Sequence, residues 1–387
     1  MRKIYTLFSI ILLFILTISC NFCSINSVVY ANENIISDNV KSAVLIESKT
    51  GEILFEKNLN ARLPVASMVK LMTILLTCEE IESGNLRLNT KIKTSENASK
   101  MGGSQVFLDP YVEYTCGDLL KSVIIASAND SSVALAEHIS GSESQFVSKM
   151  NEKAKYLGLS NTLYANCTGL PAPEQYSSAI DCAVILKNLL KFKEYKMYSN
   201  TWIDELTHPS GRKTELVNTN KLIRYYDGCD CGKTGSTNEA GYCLSASVEK
   251  NGMRLISVIV GAKTGQERFK ESSSLLNYGF ANFTNKKLID KQSKIATIEV
   301  LHSKDKNIDV FAKEDFFVVD KKGNNSEYQC NVTINEDIVA PISKSQCVGK
   351  VIITKNGKVI TEIDIVTNID INKITYFETI KKVVENW

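Results

Sequence analysis

Residues 63–81, LPVASMVKLMTILLTCEEI, are apolar on nearly every side. A helix of that pattern has no face to offer water, so it must run through the inside of a domain with other elements packed around it. Pro64 suits its first turn, where a missing N–H costs nothing. The rest of the chain supplies the cover. KSAVLIES and EILFEKN alternate as two strands joined at Thr50-Gly51. GDLLKSVIIASANDSSVALAEHISG yields two helical stretches that meet at Ser127-Ala128-Asn129-Asp130, residue types that favour turns and caps. SQFVSKMNEKAKYLGL and SAIDCAVILKNLLKF continue the helical pattern. GYCLSASVEKNGMRLISVIVGA is two strands about Asn251-Gly252, the strongest short-range hairpin signal, and RFKESSSLLNYGFANF closes the unit as a helix.

From Lys287 the character changes. KIATIEVLHSK, IDVFAKEDFFVV, EYQCNVTINE and VGKVIITKNGKVITEIDIVTN alternate in period two, with turns at Lys322-Gly323-Asn324 and Asn356-Gly357, which predicts a separate all-β domain. A length of 387 residues accommodates two domains of ordinary size. The last stretch, NKITYFETIKKVVENW, spaces Phe377, Ile380, Val384 and Trp387 three or four apart, one apolar face with Lys381 and Lys382 off it. Such a helix either packs on its own domain or lies on a membrane surface, and both readings stand at this point. Lys plus Arg at 45 against Asp plus Glu at 43 leaves +2 with no basic stripe, which argues against a nucleic-acid partner. At the other end, Arg2 and Lys3 precede an apolar run over residues 4–19, shorter than the ~20 needed to span a bilayer. Val29 and Ala31 then stand at the small-residue positions of a cleavage site, so the chain is expected to be exported, with cleavage after Ala31. Cys20 raises a lipoprotein reading that Thr17 does not fit.

Loss of Cys20 and Cys23 with that segment leaves nine of the eleven cysteines, an odd number. Cys78, Cys182 and Cys243 lie in apolar runs and read as small core residues. Cys229-Asp230-Cys231 has the wrong spacing for half a zinc site, and free thiols are also the favoured reading for Cys330 and Cys347, the pair that would bridge in the β domain. The three histidines, His138, His208 and His302, occupy no metal-binding spacing. A hydrolytic base, if the chain has one, is therefore expected to be another residue.

Lysine fits. Ser67-Met68-Val69-Lys70 places hydroxyl and amine on one helical face. An ordinary lysine is neutral in only about one molecule in a few thousand at pH 7. Burial among Met68, Val69, Leu71, Met72 and Ile74, with a second lysine nearby, would disfavour the ammonium and leave a base for the serine. Ser-x-x-Lys also occurs at Ser210, Ser247 and Ser303, Ser-x-Asn at Ser95 and Ser236, and Lys-Thr-Gly at 49–51 and 263–265. The combination discriminates: only Ser67 opens a buried helix, followed by Ser127-Ala128-Asn129 on an interhelical turn and Lys233-Thr234-Gly235 leading into a strand. The first Lys-Thr-Gly is read as a hairpin turn and the third as a decoy.

This ordered trio, with its flanks LPVASMVKLMT, SENASKMGGSQVFL, NTLYANCTGL and QYSSAIDCAVI, resembles the low-molecular-mass penicillin-binding proteins, the serine-type D-alanyl-D-alanine carboxypeptidases. The resemblance implies an α+β fold of the penicillin-binding protein and β-lactamase type, an antiparallel sheet flanked by helices and followed by a small all-β domain. The expected layout is a signal peptide over 1–31, a DD-peptidase catalytic domain over 32–286, a β-sandwich-like domain over 287–372 and an amphipathic membrane-associating tail over 373–387. It implies Ser67 as nucleophile, Lys70 as its base and Ser127 as proton relay. Asn129 would hold the substrate amide and Lys70, and Lys233 and Thr234 would hold the terminal carboxylate. Gly235 would let the substrate backbone approach, and the amides of Ser67 and Ser236 would form the oxyanion hole. The implied partners are a peptidoglycan stem pentapeptide ending in D-Ala-D-Ala and the β-lactams that mimic it, with no metal or cofactor. A DD-endopeptidase, a β-lactamase and an inert cell-wall binder are the rival readings; Glu174 lacks the setting of the deacylating glutamate in class A β-lactamases. Ala128 stands where many relatives have Gly, and NCTGL replaces a commoner His-Gly-Leu version and receives no role.

Overall fold

Successive residues of the first strand enter two different cores. In the computed structural model, which describes residues 35–324 and 326–385, Val44 and Ile46 pack into one apolar cluster and Ala43 and Leu45 into another. The strands in chain order are β1 (Ser42–Glu47), β2 (Ile53–Lys57), β3 (Lys91–Lys93), β4 (Glu113–Thr115), β5 (Ile203–Thr207), β6 (Lys213–Val217), β7 (Cys229–Thr237), β8 (Gly241–Lys250) and β9 (Met253–Ala262). Five of them form an antiparallel sheet in the order β2-β1-β9-β8-β7. β9 repeats the alternation, with Ile256, Val258 and Val260 on the first face and Leu255 and Ile259 on the second. Both faces are thus buried, each such side chain contributing roughly 1.5–3 kcal/mol. The helices Lys70–Glu82 and Ala179–Leu189 cover the first face, and the helix Gly265–Asn282 covers the second through Leu275 and Leu276. The β8–β9 hairpin turns at Asn251 and Gly252 with φ of 51° and 75°, the positive pair that a tight hairpin requires.

The apolar stretch is the central helix, and every residue from Lys70 to Cys78 is buried. It starts later than its sequence suggests. A single 3-10 turn, Ala66–Val69, comes first, and Ala66 has φ of 49°, a left-handed conformation that a continuous right-handed helix cannot contain. Pro64 lies ahead of both, beside the short pairing of Leu63 with Ser177, and not in the helix's first turn.

The remaining strands are β10 (Phe283–Ile289), β11 (Lys294–Glu299), β12 (Asn307–Ala312), β13 (Phe316–Lys321), β14 (Tyr328–Ile334), β15 (Cys347–Lys355) and β16 (Lys358–Val366). They make a five-stranded sheet, β11-β12-β16-β15-β14, and the pair β10-β13, with Ile289, Val310, Val351 and Ile363 in one shared core. A boundary at 286/287 would cut through β10; the change of architecture falls at Asn282/Phe283, where the helix ends and β10 begins to pair with β13. Cys330 lies opposite Ile353 on β15, six residues along that strand from Cys347. At ~3.3 Å per residue the two thiols are far beyond bridging reach, and both are free. On the terminal helix Tyr376–Glu385, Tyr376, Phe377, Val383 and Val384 are exposed, so its apolar residues are not packed on its own domain. No described helix is long and apolar enough to cross a membrane. The expected signal segment 1–31 and Trp387 lie outside the described residues.

Candidate active site

The 3-10 turn presents Ser67 half-buried, and the first residue of the helix, Lys70, is fully enclosed. Lys70 Nζ lies 3.0 Å from Ser67 Oγ and donates to the Thr168 carbonyl at 2.5 Å. Burial pulls the Lys70 ammonium down from its ordinary value to about 7, against a smaller opposing pull from Cys167 and Asp130. About half of the molecules therefore carry a neutral amine at pH 7. A neutral amine keeps its N–H on the Thr168 carbonyl and turns its lone pair to the hydroxyl. The pair can take a proton from serine without histidine.

The Thr168 carbonyl is held by its own loop. Asn166 Oδ1 accepts from Thr168 N (3.1 Å), Thr168 Oγ1 (3.1 Å) and Gly169 N (2.7 Å), while Asn166 Nδ2 donates to the Leu170 carbonyl at 2.9 Å. Gly169 has φ of 81°, and a Cβ there would come within 2.1 Å of the Ala66 carbonyl oxygen. The segment that received no role in the sequence thus packs against the nucleophile turn and supplies the second partner of Lys70.

Ser127 stands on the turn between the helices Cys116–Ile125 and Asn129–Ser140, with φ of 63°. A non-glycine residue in that region is strained, a feature that clusters at functional sites. Its Oγ accepts from Lys233 Nζ at 2.7 Å, and Lys233 also donates to the Thr234 carbonyl at 2.9 Å. Lys233 is only 1% exposed, and burial holds it well below the usual lysine range, helped by the positive charges of Lys70 and Arg268. Asp130 buttresses the same turn: its carboxylate accepts from Val106 N and Leu108 N at 3.0 and 3.1 Å, pinning the neighbouring loop, and burial raises its pKa.

β7 is an edge strand, paired with β8 alone, and it carries Lys233, Thr234, Gly235 and Ser236 in one run. Thr234 is buried and Ser236 exposed. Gly235 has another reason to be glycine than the one expected. A Cβ there would lie 2.4 Å from the Val65 carbonyl oxygen and 3.0 Å from Ser67 N, so its bare Cα lets the nucleophile turn close onto the strand. Asn129 also departs from expectation. Among the described residues its Nδ2 donates to the Gly102 carbonyl at 2.6 Å, its buried Oδ1 has no hydrogen-bond partner, and Lys70 is bonded to Ser67 and Thr168 instead. Arg268, which sequence reasoning missed, reaches from the helix Gly265–Asn282 to the carbonyls of Gly235 (3.1 Å) and Cys243 (3.3 Å), placing a third cation beside the strand. The other two Lys-Thr-Gly copies lie elsewhere: Gly51 turns the β1–β2 hairpin with φ of 78°, and Thr264 caps the helix Gly265–Asn282 by accepting from Glu267 N at 3.1 Å.

A helical layer on each face of an antiparallel sheet, a serine one turn from a buried lysine, and a cationic strand edge beside them are the marks of a serine peptidase of the penicillin-binding class. The chain belongs to the D-alanyl-D-alanine carboxypeptidase family, Peptidase S11, whose model matches residues 29–264; a model of the penicillin-binding protein 5 C-terminal domain matches residues 283–373. It is similar to the D-alanyl-D-alanine carboxypeptidase DacF of Bacillus subtilis, 41% identical over 91% of each chain. It is also similar to the D-alanyl-D-alanine carboxypeptidase DacA of Haemophilus influenzae, 34% identical over 86% of each. Among solved structures, penicillin-binding protein 5 from Haemophilus influenzae superposes with a TM-score of 0.73 at 32% identity, covering 87% of this chain and 98% of that one.

Proposed function

We propose that this chain removes the terminal D-alanine from peptidoglycan stem pentapeptides through an acyl-enzyme on Ser67. The observation that carries the reading is the 3.0 Å contact between Ser67 Oγ and a fully buried amine whose pKa has fallen to about 7. The substrate's terminal carboxylate enters between Lys233, Thr234 and the positive field of Arg268. Its negative charge favours the ammonium form of Lys233. Two buried ammonium groups in one pocket repel, so charging Lys233 disfavours a charge on Lys70. Substrate binding thereby selects the state in which Lys70 is the base.

Ser67 Oγ attacks the carbonyl of the terminal peptide bond as its proton passes to Lys70. The oxyanion faces the backbone N–H groups of Ser67 and Ser236, and losing one such donor generally costs ~10²–10³ in rate. The C–N bond then breaks. Ser127, already hydrogen-bonded to Lys233, hands a proton to the departing amine and is resupplied by the lysines behind it. Water opens the ester on Ser67, releasing the shortened peptide and restoring the hydroxyl. A β-lactam, which mimics the D-Ala-D-Ala end, acylates the same oxygen. The exposed Tyr376, Phe377, Val383 and Val384 suit the terminal helix to the surface of the cytoplasmic membrane, on the outer side where the cell wall is trimmed.

Purified protein is to be incubated with a fluorescent penicillin and, separately, with a D-Ala-D-Ala-ended pentapeptide. Covalent label and free D-alanine are expected, both lost in Ser67→Ala. Label without D-alanine release would point to an endopeptidase or an inert binder, and label lost within minutes to a β-lactamase.

A further inference from the structure

The carbonyl that holds Lys70 is itself tethered from outside its loop. The three bonds that Asn166 Oδ1 accepts run to residues 168 and 169, so they set the shape of the turn and not its place against the central helix. Bonds to other elements come at the residue before Thr168. The Cys167 carbonyl accepts from Thr73 Oγ1 at 2.7 Å, and Thr73 stands one turn after Lys70 on the same helix. From the other side comes Glu143, the first residue of the helix Glu143–Tyr156. Its Oε1 accepts from Cys167 N at 3.1 Å and from the Cys167 thiol at 3.2 Å. Cys167 is sealed from solvent. Burial, with the Glu143 charge beside it, pushes the thiol well above its ordinary value, so it stays a donor.

A glutamate in the first turn of a helix has an ordinary task, complementing the positive end of the dipole. That task needs a negative charge, and any direction near the helix end serves. The geometry here asks for more: an oxygen at the reach of a glutamate, aimed at one backbone N–H of a neighbouring loop. A hydrogen bond accepted by a carboxylate is roughly twice as strong as a neutral one.

We propose that Glu143 is a positioning residue for the general base: by gripping Cys167 it keeps the next carbonyl, that of Thr168, on Lys70 Nζ. Glu143 has this role only if Lys70 is the base of Ser67, and so it rests on the acyl-enzyme reading above. The ionisable groups facing Lys70 are Cys167 on this loop, Asp130 on the helix Asn129–Ser140 and Lys233 on β7. Without the grip the Thr168 carbonyl drifts, and an enclosed ammonium loses an acceptor. The charged form is then disfavoured, so Lys70 gives up its proton at lower pH. The amine is also held less firmly at the hydroxyl, which slows the proton transfer.

The rate of Ser67 acylation by a fluorescent penicillin is to be followed from about pH 5 to 9 in the wild type, Glu143→Ala, Glu143→Asp and Glu143→Gln. Only molecules that finally take label are counted, so unfolded protein drops out. In Glu143→Ala the plateau above neutral pH is expected to fall about tenfold, and the midpoint of the acid limb to move roughly half to one unit below that of the wild type. Glu143→Asp is still charged at the helix end but one methylene too short to reach Cys167, and is expected to follow the alanine variant. Glu143→Gln is uncharged but keeps an oxygen at the right reach, and is expected to recover the plateau to within about threefold, with a midpoint close to that of the wild type. A dipole role predicts the reverse order, with Glu143→Asp near the wild type and Glu143→Gln impaired, and that result overturns the proposal. So does an unmoved midpoint, or a plateau within about twofold of the wild type, in both Glu143→Ala and Glu143→Asp; the acyl-enzyme reading then stands. No label on the wild type overturns that reading and this role with it.

Discussion

Lys233-Thr234-Gly235 and Lys263-Thr264-Gly265 are one tripeptide in two settings. In the first, the lysine is sealed beneath a sheet edge, its amine is bonded to Ser127, and the glycine admits the nucleophile turn. In the second, the lysine is exposed, the threonine caps a helix, and the glycine meets nothing closer than the Tyr242 ring at 3.5 Å. The chemistry belongs to what packs against the residues. Burial lowers the first lysine well below its ordinary value, whereas the second is a solvated helix-entry residue.

The sharpest way to break this contrast is to remove each lysine. Lys233→Ala is expected to lower kcat/KM for D-alanine release by about 10²–10³-fold, and Lys263→Ala to leave it within about twofold. Equal losses would refute the distinction. Next come the glycines. A methyl group at position 235 collides with Val65 and Ser67 backbone atoms, and the resulting shift of the nucleophile is expected to slow acylation by about 10²-fold, while Gly265→Ala changes nothing in the same β-lactam labelling assay.

The pH profile tests the electrostatic half of the comparison. Because the pKa of Lys70 is lowered to about 7, its amine is charged and idle below that pH and neutral above it. Acylation of Ser67 is expected to rise roughly fiftyfold from pH 5 to 7 and to level off by pH 8. A rise that continues to pH 10 would mean a solvated, ordinary lysine. Smallest is the cap: Thr264→Ala is expected to cost about 1 kcal/mol, some 2–4 °C in Tm, with kcat unchanged, as calorimetry and a D-alanine assay on one sample would report.

Much of this is legible in the sequence. The Ser67–Lys70 spacing, the turn at Ser127, the Asn251-Gly252 hairpin and the β-rich end all follow from periodicity and turn chemistry, which act over a few residues. What escaped was set by atoms distant in sequence or invisible to side-chain patterns. The second acceptor of Lys70 is a backbone carbonyl, an atom every residue has; its only signal was Asn166 placed to bond the next turn and a glycine behind it. Arg268 lies on a helix whose own sequence says nothing of the strand it touches. The left-handed Ala66, which delays the central helix, answers to Gly169 and Gly235 packing around it and not to any local preference. The period-two pattern becomes visible only past Lys287, whereas β10 begins to pair with β13 at Phe283, through the polar run Thr284 to Lys287 that shows no alternation.

The complete enclosure of Lys70 has a practical corollary for anyone designing reagents against the cleft. With its nitrogen unexposed and engaged by Ser67 and the Thr168 carbonyl, Lys70 is shielded from amine-directed electrophiles, which will exhaust themselves on the solvated lysines of the outer shell. Selective covalent capture here has to come through the half-buried oxygen of Ser67.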